Sequence, residues 1–265
     1  MSDILKNQRI KLIEDNIIAL LANWKDLKGA EFIHDSTKVQ LITGMPFAFL
    51  NSIANVNFTG TDIKEQIEAT LIPCKARKVP VLWWIGPNSK PDDLDVYLEE
   101  LGFKKTDEPP GMYMDLNSLV LSNENIPELK IEFVQNKKHV EDWVSAFIAG
   151  LSGTENQREY LFKSEITLLQ KSDYIRFVGY WNGEPVAVAA LFLDENVAGV
   201  YFVITKPDHR GKGIGTAITI AALKNAKERG YQDAILQSSQ MGYNIYRRIG
   251  FEEYCKFKWY HYRFK

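Results

Sequence analysis

Two cysteines and four histidines are all that 265 residues hold of the common metal-ligating side chains other than carboxylates. Cys74 and Cys255 lack Cys-x-x-Cys spacing, which excludes a disulfide framework and a thiolate metal site; both are expected to remain thiols. His34, His139, His209 and His261 are scattered, with no His-Glu-x-x-His pattern, so no metal is expected. A Gly-x-Ser-x-Gly nucleophile elbow is also missing. No apolar run approaches the roughly 18–20 residues that span a bilayer. Residues 1–11 carry Asp3 and Lys6 where a leader would be apolar. A soluble, cytoplasmic protein without a membrane partner is expected. Charge of one sign is lacking too: 32 Lys plus Arg against 34 Asp plus Glu leave a net charge of −2. Such a chain has no field for gathering phosphate backbones, and no nucleic-acid partner is expected.

What is present is material for a core. Apolar residues make up 45% and charged residues 25%, which excludes disorder as the dominant state. The length allows one large domain or two small ones. Helical spacing over residues 4–21 is followed by a strand-like run at 39–43, a helical pattern at 62–78 and an apolar run at 79–85 stopped by Gly86-Pro87. A helix follows at 92–101. Residues 116–128, rich in Asn, Ser and Glu, separate strand-like stretches at 111–116 and 129–134 and read as an interdomain linker. Beyond it come helices at 140–151 and 157–170, then strands at 175–181, 184–193 and 197–205. Asn182-Gly183 makes a two-residue hairpin turn between the first pair. A helix at 214–229 ends at Gly230, and a strand at 233–238, a short helix at 243–249 and aromatic strands complete the chain. The fold class is α+β, with mainly antiparallel sheets.

The halves share a shape. Each has a helix, a strand and a second helix that ends in Leu-Gly-Phe or Ile-Gly-Phe, at Leu101-Gly102-Phe103 and Ile249-Gly250-Phe251. The matching order of elements favours a duplicated fold.

The stretch with the most chemistry follows the strand at 197–205. Pro207 blocks continuation of that strand, and glycines at 211, 213 and 215 open a helix. Glycine allows positive φ and close backbone approach. The helix start leaves N–H groups unpaired and turns its positive dipole end to the loop, which suits phosphate oxygens. Arg210 and Lys212 add charge, and the loop reads as a pyrophosphate cradle. Spacing excludes two relatives: a dinucleotide fingerprint needs glycine where Thr216 stands, and a Walker loop needs Ser or Thr where Gly213 follows Lys212.

Arg-x-x-Gly-x-Gly directly after an antiparallel strand resembles the coenzyme-A loop of the GNAT superfamily of acyl-CoA-dependent N-acyltransferases. Tyr246, four residues before Gly250-Phe251, is similar to that superfamily's second signature. The resemblance covers roughly residues 129–265. It implies two GNAT-like domains, each a mainly antiparallel mixed sheet flanked by helices: a degenerate one at 1–120 and a catalytic one at 129–265. It implies acetyl-CoA as acyl donor. Arg210, Gly211, Lys212, Gly213, Ile214, Gly215 and Thr216 would bind the pyrophosphate. Backbone amides of Val203, Ile204 and Thr205 would hold the pantetheine arm, and that of Val203 would polarise the thioester carbonyl. Tyr246 would act as general acid toward the departing thiolate. Ser239 stands where many members have Asn. No carboxylate at the expected strand positions offers a general base, so a water relay through backbone carbonyls or Tyr201 is expected instead.

The first half has Leu98 where the second has Tyr246, and one glycine and no Arg in residues 57–62. It should bind no pyrophosphate. Its expected role is structural, with Trp83, Trp84 and Met112 candidates for the wall of an acceptor pocket. The acceptor is a small-molecule or peptide amine of undetermined identity, and monomer and homodimer stay open. The alternatives are a non-catalytic CoA-binding or sensing module and a purely structural tandem domain. His209, flanked by Asp208 and Arg210, is expected to face solvent.

Overall fold

Apolar residues at helical spacing form α1 (Asp3–Asn23), which buries Ile13, Ile17, Leu20 and Leu21. The computed structural model describes residues 3–119 and 126–264; of the expected linker, residues 120–125 lie outside the described residues. After α1 come β1 (Glu31–His34), β2 (Val39–Ile42), β3 (Asn51–Ala54), α2 (Ile63–Arg77), β4 (Val81–Ile85), α3 (Leu94–Glu100), β5 (Lys104–Asp107) and β6 (Pro110–Asp115). The second half contains β7 (Leu129–Phe133), α4 (Lys137–Gly150), α5 (Glu155–Thr167), β8 (Tyr174–Trp181), β9 (Glu184–Leu193), β10 (Ala198–Thr205), α6 (Ile214–Glu228), β11 (Asp233–Gln237), α7 (Tyr243–Ile249), β12 (Glu252–Lys256) and β13 (Lys258–Tyr262).

The chain forms two compact units that are not its two linear halves. One is Met1–Gly111 with Cys255–Lys265; the other is Met112–Tyr254. The first contains a six-stranded sheet in the order β1-β2-β3-β4-β13-β5, and the second a seven-stranded sheet in the order β12-β6-β11-β10-β9-β8-β7. Read from β1 and from β8, the two orders are the same, with α2 and α6, then α3 and α7, at equivalent places in the chain. In each, the strand next to the β4 or β11 position comes from far away in sequence: β13 beside β4, β6 beside β11. Both units are α+β with mixed sheets, because a single parallel pair, β3·β4 or β10·β11, interrupts otherwise antiparallel pairing among the registered strands.

Local chemistry explains the elements that position the second unit's site. Asn182 (φ 49°) and Gly183 (φ 87°) make the tight turn between β8 and β9. Asn136 caps α4 by accepting from His139 N at 3.0 Å, and Thr154 with Gln157 forms a capping box on α5. At the far end of α4, Gly150 lies so close to β10 that a Cβ there would stand 2.2 Å from Ile204 Cγ2. Only glycine admits that approach. Arg176 on β8 and Glu165 on α5 are 2% and 5% exposed and are paired at 2.5 Å, so this face of the sheet contains a desolvated ion pair.

Candidate active site

Pro207, which cannot continue β10, starts a short turn through His209, and the chain then enters α6 through Gly211 and Gly213, both at φ 77°. Gly213 in this left-handed conformation is the N-cap of α6 and has no side chain to cap it. Among the described residues, the backbone N–H groups of Gly211, Lys212, Gly213, Ile214, Gly215 and Thr216 have no hydrogen-bond partner; the first paired one is Ala217, donating to Gly213 O at 3.0 Å. Six consecutive donors at the positive end of a helix dipole form a nest for an anion. Nothing lies within 4 Å of a Cβ built at Gly211, so open space adjoins the loop.

The two cations are held at the loop by different means. The Arg210 Nε donates to Thr205 O and its Nη2 to Gly150 O, each at 3.1 Å, while Nη1 has no partner among the described residues. Arg210 thus ties the loop to the ends of β10 and α4 and keeps donors in reserve. Lys212 Nζ lies 4.9 Å from the centroid of Trp181, over its ring. His209 does not face solvent as its flanking charges suggest. It is half-buried, with Nδ1 buried and unpartnered and its ring 6.1 Å from Trp181.

Upstream of the loop, β10 opens along one edge. It pairs with β11 only at Ala198↔Ala234 and Gly199↔Ile235. Between Tyr201 and Ile204 its register with β9 slips by one residue, and Phe202 there has φ 53°. This is a β-bulge, which bends the strand and turns its edge. Lys206 N donates to Val186 O of β9 at 2.8 Å. Strand alternation therefore turns Ile204 toward β9 and the N–H groups of Val203 and Thr205 toward the open edge. The Ile204 side chain packs on Gly150.

Tyr246 lies on α7, in the same hydrophobic cluster that Val203 packs against. The residue is 9% exposed, its ring meets Phe251 edge-on at 6.0 Å, and its hydroxyl has no hydrogen-bond partner among the described residues. Burial disfavours the phenolate and pushes the pKa up to about 12. At neutral pH the group is a protonated donor. Burial likewise raises Tyr201, which keeps its phenol neutral. Ser239 Oγ accepts from Gly242 N at 3.2 Å and so caps the turn into α7. No group of three or more metal-ligating side chains occurs among the described residues.

Residues 139–251, which include the loop, the open edge and Tyr246, match the model of the acetyltransferase (GNAT) family. This segment is a GNAT acetyltransferase domain. Over 102 residues the chain is 33% identical to mycothiol acetyltransferase of Saccharomonospora viridis, a stretch that is 37% of this chain and 33% of that protein. The chain thus spans about a third of that relative's length. It is 25% identical over 218 residues to the uncharacterized N-acetyltransferase YobR of Bacillus subtilis, covering 80% of this chain and 85% of that one. A GCN5-related N-acetyltransferase from Kribbella flavida shares the fold, with a TM-score of 0.67, 20% identity and coverage of 92% and 93%.

The first unit has the same strand order but a closed edge. β3 and β4 also pair at two positions only, Ser52↔Leu82 and Ile53↔Trp83, and Asn55 has φ 49° where the GNAT domain has its bulge. There the chain fills its own gap: Lys90 N donates to Val56 O at 2.8 Å and Phe58 N to Lys90 O at 3.1 Å. Counting from the paired residues and allowing for the bulge, Val56 and Phe58 correspond to Val203 and Thr205. Leu98, the counterpart of Tyr246, is fully buried. Trp83 and Met112, expected in a pocket wall, are wholly buried core residues instead. Trp84 is half-buried and donates to Ser52 Oγ at 3.1 Å. Sequence reasoning missed three positions in the GNAT domain: Phe202, Gly150 and Gln237, whose Nε2 is buried without a partner.

Proposed function

We propose that the GNAT domain transfers an acetyl group from acetyl-CoA to an amine by direct attack, and that the first unit is a degenerate copy that takes no coenzyme. The observation that carries this reading is the run of six unpaired amides from Gly211 to Thr216, continuous with the open edge of β10. The run suits a diphosphate, which the free Nη1 of Arg210 and the Lys212 ammonium would also meet. The edge suits an amide-bearing arm that pairs as an added strand through Val203 and Thr205.

Acetyl-CoA would supply the activated thioester; the residues of the chain do the rest. The N–H of Val203, at the bulge, polarises the carbonyl as the amine nitrogen bonds to its carbon. The carbon–sulfur bond breaks, and Tyr246 gives its phenolic proton to the departing sulfur. The attacking nitrogen loses a proton to water, with the neutral Tyr201 a relay rather than a base. β10 carries no acid, and Asp233 at the start of β11 accepts from Tyr113 Oη. The acceptor in this reading is a small-molecule or peptide amine and the enzyme cytoplasmic; no helix among the described residues is long and apolar enough to cross a membrane.

Calorimetry with acetyl-CoA, paired with thiol release across an amine library, tests the proposal. One acetyl-CoA per chain and thiol release with at least one amine are expected. Binding without release against any amine would favour a sensing module. No binding at all would leave a structural tandem protein. Two sites per chain would contradict the closed edge of the first unit.

A further inference from the structure

Gln237 is the last residue of β11 and stands two positions beyond Ile235, the last to pair with β10. It therefore lies where the two strands part. Ala234 and Leu236 face the cluster packed by α6, so alternation places Ile235 and Gln237 on the opposite face. That is the face α4 covers, where Phe202 meets Phe147 at 5.7 Å and Ile204 meets Gly150. The polar groups around Gln237 are mostly spoken for. Ser238 Oγ donates to Ser239 O at 2.8 Å, and Ser239 Oγ accepts from Gly242 N. The Gln237 side-chain amide has no hydrogen bond among the described residues, and its Nε2 is buried. A buried N–H that meets neither protein nor free solvent is costly to keep, and a bound ligand removes that cost.

We infer that Gln237 is a specificity residue that binds the acyl acceptor, donating from Nε2 to a carbonyl oxygen on the carbon next to the reacting amine. The class of acceptor is thus an amino-acid amide or a peptide N-terminus. This rests on the proposed function and refines it. Beside the gap on the α4 face of β10, Phe202 and Ile204 are apolar and Tyr201 is a buried, neutral phenol, so an unpaired amide among them sets orientation and discriminates against acceptors that leave it unpaired. The amide is neutral, so it selects by hydrogen bonding rather than by charge.

The test compares alaninamide with 3-methyl-2-butylamine, which has the same branching but no carbonyl. Their amines differ in basicity, so the readout is the ratio of the two kcat/KM values in the wild type against the same ratio in Gln237→Met and Gln237→Leu. Methionine keeps the length of the side chain and leucine its bulk, so two variants guard against a folding defect. The ratio is expected to fall about tenfold in both, with acetyl-CoA affinity by calorimetry unchanged. An unchanged ratio overturns the inference, as does a loss confined to acetyl-CoA affinity. So does a wild type that acetylates other amines but neither of these two, or prefers the alkylamine by a margin the variants share. Failure of the wild type to bind acetyl-CoA is a different result and defeats the proposed function itself.

Discussion

Tyr246→Phe is expected to lower turnover about a hundredfold or more while changing acetyl-CoA affinity less than twofold. The ring makes the packing contacts of this residue, against Phe251 and the backbone at Gly242, and phenylalanine preserves them. The hydroxyl makes no hydrogen bond within the described residues, so its loss costs the fold little. What disappears is the proton for the leaving thiolate. The sign of the pH effect follows from burial. The phenolate is disfavoured and the group stays protonated up to about 12, so Tyr246 itself produces no fall in kcat on the alkaline side below that region. Stopped thiol-release assays with wild type and variant, over a range of pH, read both effects. Equal turnover in the two would remove Tyr246 from the mechanism.

The largest effect on stability is expected at Arg176→Ala. The guanidinium donates from Nη1 to Glu165 O at 2.9 Å and to Glu165 Oε2 at 2.5 Å, and from Nη2 to Leu168 O at 3.1 Å, with the Tyr174 ring 5.0 Å away. Alanine strands a buried carboxylate and two carbonyls, at a cost of about 3–5 kcal/mol. Burial already raises Glu165 above the ordinary carboxylate range against the pull of Arg176, and removal of the cation raises it further. The folded variant therefore binds a proton more readily than the unfolded chain, so the deficit shrinks as the pH falls and Glu165 becomes neutral. Replacing both partners by methionine should recover much of the loss, because no charge is left buried. Denaturant titrations at neutral and mildly acidic pH measure each difference. A deficit below about 1 kcal/mol, or one that grows in acid, would show that the pair is not a desolvated one.

The loop was legible in the sequence because its chemistry is local. Glycines at 211 and 213 mark positive φ, Pro207 marks the end of a strand, and the unpaired amides follow from the start of any helix. Asn182-Gly183 was legible for the same reason. The bulge was not, since Phe202 has a positive φ that phenylalanine rarely adopts and that the surrounding sheet imposes. β1 and β3 are four residues each, too short for a period to declare itself. Pairing across the chain was also hidden: the pattern of β13 shows a strand, but nothing in it says that β4 and β5 are its neighbours. The boundary at the Asn- and Ser-rich stretch followed composition, whereas contacts divide the chain at Gly111 and Tyr254. Gln237 was invisible because an unpaired N–H is a property of its surroundings, and no residue type announces it. The closed edge of the first unit is a similar case. Lost glycines and arginine hinted at an absent site, but the chain's own Lys90 in the gap is a tertiary fact.

A crystal structure of the chain with acetyl-CoA tests the central claim most directly. The account predicts the diphosphate within hydrogen-bond distance of the amides from Gly211 to Thr216, with the arm along Val203 and Thr205 and the sulfur at the Tyr246 hydroxyl. Diphosphate bound at any other place, or coenzyme lying along β3 of the first unit, would contradict it.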